Sequence, residues 1–295
     1  MSVEERKKDR LESLVVFADV DGTIVDLDTY QAGPAREALR TCTALGVPVV
    51  LVSSKTVHEL EELRNFLGNR DPFACENGAA VYLPRSDWER PDGAEPWGSY
   101  WRIVLGRPRE ELVTALREAS VRTGVPVRAF HEMGSEELAE ATGLTLAEAR
   151  RANEREFDEP FLVPAEDPAA VLRLAKELEG RGYGYSRGGR FHHVSGRHDK
   201  GDAARILRRL FRIRRPGARF AAFGDAEADL PMLREADYPY LVRRPDGLVG
   251  TTERFPGLRV TRAEGPWGFV EGLGELLRLS GCALGRTFSG LDGSA

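Results

Sequence analysis

Unbroken apolar runs alternate with amphipathic stretches near both ends of the chain. Leu14, Val15, Val16 and Phe17 stand in a row, and four such residues leave no solvent side, so a strand buried on both faces is predicted. Residues 34–45 open with Pro34, carry apolar positions at helical spacing and stop at Gly46, the pattern of a helix. Residues 47–52 repeat the buried-strand pattern. Strand, helix and strand of these lengths form a right-handed βαβ unit with parallel strands. A second helix is predicted over 58–67, with Gly68 as its cap. The alternation returns late in the chain, with a helix at 200–211, a strand at 219–223, a helix at 227–233, a strand at 238–242 and a closing helix at 265–279.

Between these blocks the pattern changes. Residues 72–75, Glu76-Asn77-Gly78 and residues 79–83 predict a strand, a tight turn and a short strand, Asn-Gly being a strong hairpin signal. Residues 84–97 hold Pro, Gly, Asp and Trp without periodicity, which places a domain boundary there. Beyond it, strand-like segments at 100–105, 127–130 and 161–163 mix with helical ones at 108–123, 135–154 (two short helices broken near Gly143) and 168–180. Residues 182–194 predict a hairpin turning at Gly188-Gly189. Such mixing without βαβ alternation predicts an α+β module inserted as a cap into an α/β core with a parallel sheet. The expected organisation is a core of 13–84 and 195–281, a cap of 85–194, and flexible termini at 1–12 and 282–295.

Composition narrows the function classes. A chain of 295 residues suits two ordinary domains, and 41% hydrophobic content allows a sizeable core. The net charge of -5 and the lack of a basic-aromatic patch argue against a nucleic-acid or anionic-membrane partner. Residues 1–12 are charged and lack the apolar centre of a signal peptide, and no later run approaches a membrane span. Cys42, Cys75 and Cys282 have no metal-ligand or Cys-x-x-Cys spacing, which points to a reducing cytoplasm. A soluble, cytoplasmic protein is expected. Lysine occurs only at 7, 8, 55, 176 and 200 against 42 Lys and Arg together, so each interior lysine carries weight.

Candidate chemistry gathers where predicted strands end. Asp19 and Asp21 follow the first buried strand one residue apart, and Gly22 and Thr23 turn the chain away beside them. An Asx-type turn is the plainer alternative. Ser53 closes the second buried strand; its hydroxyl either donates to an anion held at Asp19 or caps the next helix, a role open to Ser54 and Thr56 as well. Lys200 opens a helix, the wrong end for a cation on dipole grounds, and a compact ammonium there suits a site that needs a point charge. Asp225 ends a strand and Asp229 lies one helical turn on, so both carboxylates can face one point. A hard divalent ion, here Mg²⁺, is the usual remedy for such crowding, although acidic residues are also welcome at a helix start.

Taken in order and context, Asp19/Asp21, Ser53, Lys200 and Asp225/Asp229 resemble the four motifs of the haloacid dehalogenase superfamily of aspartate-nucleophile phosphohydrolases. The resemblance implies a HAD-like Rossmannoid core with an inserted cap. It also implies that Asp19 attacks phosphorus to form an aspartyl-phosphate, and that Asp21 protonates the leaving alkoxide and then activates water. Mg²⁺ would be held by the Asp19 carboxylate, the Asp21 main-chain carbonyl and Asp225, with Asp229 coordinating or standing just behind, while Lys200 and Ser53 stabilise the phosphoryl oxygens.

Four further strings look like the mannosyl-3-phosphoglycerate phosphatase family: Val52-Ser53-Ser54-Lys55-Thr56, Pro72-Phe73 with Glu76-Asn77-Gly78-Ala79, Arg155 to Phe161, and Arg187 to His192. This likeness implies the C2-type α+β cap and hydrolysis of mannosyl-3-phosphoglycerate to mannosylglycerate, a compatible solute. A phosphatase for glucosyl-3-phosphoglycerate or another sugar phosphate is the alternative, since mannose and glucose differ at one hydroxyl. A substrate of this kind carries a phosphate, a carboxylate and sugar hydroxyls. Arg190 suits the glyceryl carboxylate, and Glu156 and Asp158 suit sugar hydroxyls, although a solvated hairpin and an exposed charged segment would look the same. Lys55 could reach the same anionic ligand as Ser53, and Asn77 could orient substrate. His192 and His193 adjoin on a strand and face opposite ways, and His192 is taken as the one in the site.

Overall fold

The fold is that of a computed structural model, whose described residues are 11, 13–27, 29–164, 167–188, 190–244 and 255–280. The expected tail and nearly all of the expected N-terminal arm lie outside them, as does Gly189 of the Gly188-Gly189 turn. Strand β1 (Leu14–Ala18) is fully buried and lies between β2 (Val49–Val52) and β11 (Arg219–Gly224), pairing in parallel with both. The parallel order continues through β3 (Phe73–Cys75) on one side and through β12 (Tyr238–Arg243) and β13 (Arg259–Glu264) on the other. The chain thus reverses its direction of travel across the sheet between β1 and β11, which opens a crevice at their carboxyl ends.

Alternate residues of β1 feed two cores. Leu14, Val16 and Ala18 pack with α1 (Ala35–Ala44), α2 (Val57–Leu67) and α9 (Gly265–Leu279). Val15 and Phe17 pack with α7 (Lys200–Arg214) and α8 (Leu230–Arg234) on the other face. The expected helix at 227–233 is split, a 3₁₀ turn at Glu227–Asp229 leading into α8.

Beyond β3 the sheet turns antiparallel through β4 (Ala80–Pro84), β6 (Tyr100–Val104) and β5 (Glu95–Trp97), making nine strands in all. The boundary expected at residue 84 therefore falls inside the core sheet. Prolines and glycines at 84–98 concealed an edge hairpin, and Pro96 is tolerated on β5 because an edge strand need not donate on both sides. The chain leaves the core at Gly106, after β6, and re-enters at about Gly196.

Between those points the cap is a four-stranded antiparallel sheet, β7 (Arg128–Ala129), β8 (Asp158–Leu162), β10 (Phe191–Ser195) and β9 (Gly184–Gly188). One face packs Phe161 and Val194 against α3 (Arg109–Thr123) and α6 (Pro168–Gly180). Near the other lie α4 (Ser135–Thr142) and α5 (Leu146–Asn153), in a smaller cluster with Phe130, Leu162 and Phe191. No described helix is long and apolar enough to cross a membrane.

Candidate active site

Three strand ends and one helix start converge in the crevice. Register places Ala18 opposite Phe223, and the Asp19 N–H donates to the Phe223 carbonyl at 2.9 Å, so the chain past β1 is locked to β11 where their chemistry begins. The Val20 carbonyl then accepts the N–H groups of Thr23, Ile24 and Val25, closing a tight loop. Gly22 sits in it with φ +83°, and a Cβ there would lie 2.2 Å from Asp225 Oδ2, so both conformation and space require glycine.

Lys200 is the hub. Its Nζ lies 2.5 Å from Asp19 Oδ1 and 2.6 Å from Asp229 Oδ1, all three side chains being buried. Burial opposes the ammonium, but the two carboxylates outweigh it and raise its pKa. Burial, and then the Asp229 charge, raise the Asp19 pKa well above the ordinary range against the pull of Lys200. Asp229 Oδ2 accepts the N–H groups of Asp225 and Ala226, each at 2.9 Å, so Asp229 fixes both Lys200 and the loop carrying Asp225. Asp225 is pushed up to about 6 by burial and by Asp229, and Arg244 Nη1 meets its Oδ2 at 2.9 Å. Ligand oxygens of Asp19, Asp225 and Asp229 lie within 4.8 Å of one another. An all-oxygen, buried, carboxylate-rich set fits a hard divalent cation.

Ser53 is fully buried and its Oγ accepts the Lys55 N–H at 3.2 Å, a bond that does not use the hydroxyl proton. The helix-cap role falls to Thr56, which forms a capping box with Glu59 at the start of α2. Lys55 Nζ reaches Asp21 Oδ1 at 2.9 Å. Asn77 occupies a left-handed turn, φ +58°, and lines a cavity of about 580 Å³ together with Lys200 and Ala228. Cys75 pairs with Ala80, so the hairpin turn has four residues where Asn-Gly alone suggests two, and its first three, Glu76, Asn77 and Gly78, all have positive φ.

The residues expected to touch substrate from the cap are distributed differently. Asp158 faces the core, its Oδ2 accepting Arg155 Nη1 at 2.7 Å and His193 Nδ1 at 2.9 Å. Burial works against its charge, yet His193 and Arg155 hold its pKa below the usual value. Glu156 instead pairs with Arg102 of β6 at 2.7 Å. Arg190 is exposed and donates to the Ala141 carbonyl at the end of α4. His192 is fully buried, stacked on Phe161 and bonded to Tyr185 on the helix-covered face, so its neighbour His193 is the one turned toward the cleft. The alternation of the pair was legible; the face was not, because Phe161 of a distant segment decides it.

Three contacts between cap and core were invisible in the sequence. The Glu76 carboxylate accepts the N–H groups of Glu156 and Phe157 at 3.0 and 2.8 Å. Thr56 Oγ1 donates to the Arg151 carbonyl at 3.0 Å, and Arg155 Nη1 to the Ser54 carbonyl at 3.2 Å. Positive φ at a buried glutamate was the one anomaly that could have drawn attention, and it shows only in the structure.

Comparison with known proteins fits this geometry. Residues 16–89 match the model of a haloacid dehalogenase-like hydrolase family. The glucosyl-3-phosphoglycerate/mannosyl-3-phosphoglycerate phosphatase of Methanococcoides burtonii is 32% identical over 89% of this chain and 97% of its own. An enzyme of the same name from Persephonella marina is 31% identical over 90% and 97%. Among solved structures, a phosphatase of the haloalkanoate superfamily from Bacteroides thetaiotaomicron superposes with a TM-score of 0.61 at 17% identity, covering 90% of this chain and 94% of that one; it bears on the fold alone. With relatives above 30% identity across nine-tenths of its length, the chain belongs to the glucosyl-3-phosphoglycerate/mannosyl-3-phosphoglycerate phosphatase family of haloacid dehalogenase-like hydrolases.

Proposed function

We propose that this protein is a Mg²⁺-dependent phosphatase of mannosyl-3-phosphoglycerate, with glucosyl-3-phosphoglycerate as the alternative substrate, working through an aspartyl-phosphate. The observation that carries the reading is the position of Lys200 Nζ between Asp19 and Asp229, with Asp225 alongside. A phosphoryl group at that point would meet a carboxylate nucleophile and a fixed cation together.

Asp19 attacks phosphorus, and the ester P–O bond breaks as the Asp19–phosphorus bond forms. Asp21, whose side chain is 26% exposed at the mouth of the site, gives its proton to the departing alkoxide and then takes one from the water that cleaves the aspartyl-phosphate. Lys200 and the Ser53 hydroxyl face the developing charge on the phosphoryl oxygens. Asp19, the Asp21 carbonyl and Asp225 would hold the divalent ion, with Asp229 ordering the set. When bound, the ion supplies further neutralisation of the phosphoryl charge.

The test is phosphate release, with Mg²⁺, from a panel of mannosyl-3-phosphoglycerate, glucosyl-3-phosphoglycerate, 3-phosphoglycerate and hexose phosphates, compared by kcat/KM. Preference for the glycosyl esters is expected, and Asp19→Asn should abolish it with the fold intact. Equal or better rates on the simpler esters would withdraw the substrate assignment.

A further inference from the structure

Two cavities lie beside the crevice, one lined by Lys200, which pairs with Asp19, and one lined by Lys55, which pairs with Asp21. The cavity at Asn77 and Lys200 opens on the nucleophile's side. The other, of about 430 Å³, is lined by Tyr30, Lys55, Leu63 and Phe66 from the core and by Leu144 and Arg151 from the cap. Its volume lies in the range of small-molecule sites. Lys55 joins this cavity to the chemistry, with its Nζ 2.9 Å from Asp21 Oδ1 and 5.9 Å from the centre of the Tyr30 ring.

Tyr30 is held there against its preference. Its φ is +54°, a conformation bulky side chains rarely adopt, and the ring is 60% exposed. The turn is tied down by Asp26, whose carbonyl accepts the Tyr30 N–H and whose Oδ1 accepts both the N–H and the hydroxyl of Thr29. Phe66 continues the aromatic surface, 54% exposed and covered on one face by Arg36. The cap wall is fixed to α2, because Arg151 pairs with Glu62 at 2.7 Å. Glu59 and Glu148 at the rim already accept the N–H groups of Thr56 and Thr145, and of the two cations that line the cavity Arg151 is paired with Glu62 while Lys55 is the one that reaches Asp21.

We propose that this cavity receives the leaving group, with Tyr30 as a platform for the C–H face of the sugar ring and Lys55 as the partner of the glyceryl carboxylate. The proposal rests on the phosphatase reading above. An ester oxygen that takes its proton from Asp21 must leave on the Asp21 side, and the space there is aromatic at its floor and cationic toward the chemistry. That combination suits a polyol with one carboxylate.

The test compares Tyr30→Ala, Tyr30→Phe and Tyr30→Gly, using the ratio of kcat/KM for the glycosyl-3-phosphoglycerates to that for β-glycerophosphate, which carries no sugar. In Tyr30→Ala the ratio should fall about tenfold, mainly through KM, and Tyr30→Phe should restore it. Tyr30→Gly removes the ring while relieving the positive φ, so it should lose selectivity without losing thermal stability. Calorimetry on Asp19→Asn with and without Tyr30→Ala should show the same tenfold loss in glycosyl ester binding. A wild type with no preference for glycosyl esters removes the parent reading and this one together. A wild type with that preference, kept unchanged in Tyr30→Ala, overturns this inference alone.

Discussion

Replacing Glu76 by glutamine tests how the cap is held to the core. Glu76 is 1% exposed, and its carboxylate accepts two backbone N–H groups from the segment that leads into β8. Burial is the largest influence on it, opposed by Arg155 and by those two N–H groups, and the net effect raises its pKa from 4.5 to about 7. The folded protein therefore holds this proton more tightly than the unfolded chain does. Stability from the protonated group is complete below pH 4.5 and is lost progressively as the pH rises to about 7. At about 1.4 kcal/mol for each pH unit, the whole window is worth about 3 kcal/mol, and the part above pH 5.5 about 2 kcal/mol. Glutamine does not titrate, so in Glu76→Gln this component disappears. Urea unfolding of both proteins at pH 5.5 and pH 8 should show the variant gaining about 2 kcal/mol on the wild type across the interval, whatever the constant offset from the new amide. A difference that stays constant within about 0.5 kcal/mol, well below that linkage effect, would show that Glu76 is ionised throughout and that its contact with the cap is a charged one.

Lys200→Met leaves buried Asp19 and Asp229 without their cation; it should cost about 3–5 kcal/mol in metal-free protein and lower kcat by about 10²–10³-fold, read by unfolding and by phosphate release. Thr56→Ala removes both the α2 cap and the bond to the Arg151 carbonyl; it should cost about 2 kcal/mol and speed amide exchange in α5. Chelation by EDTA should stop phosphate release and added Mg²⁺ restore it, and undiminished activity in chelated protein would exclude the metal reading. Gly22→Ala forces a Cβ onto Asp225 at positive φ, and the expected result is loss of activity together with lowered thermal stability.

The candidate reagents named from the sequence share one property: each follows or opens a strongly patterned element. Asp19, Asp21, Ser53 and Asp225 stand just past buried strands, and Lys200 starts a helix whose apolar spacing is plain, so local pattern was enough to place them at the ends of elements that meet in the crevice. Residues that fasten the cap depend on partners far along the chain. Glu76 meets Phe157 across 81 positions, and Arg155 meets Ser54 across 101. Strand alternation assigned opposite faces to His192 and His193, but burial by Phe161 and Tyr185 decided between them. The pattern of β6 reads as a strand but assigns it to the cap, and β5 escapes notice because an edge strand tolerates the Pro and Gly that otherwise read as a linker.

The points where the chain leaves and re-enters the core are neighbours: a Cβ on Gly196 would lie 3.3 Å from the Arg107 nitrogen. An excursion whose two ends meet can be lengthened, shortened or exchanged without pulling its host apart. Asp19, Asp21, Ser53, Lys200, Asp225 and Asp229 all lie outside it. The cap is in effect a cassette, and grafting another between Gly106 and Gly196 would change what the core meets while leaving the reagents of the crevice in place. Only the wall that the cap supplies is therefore separable: Tyr30 and Lys55 stay with the crevice whichever cap is attached.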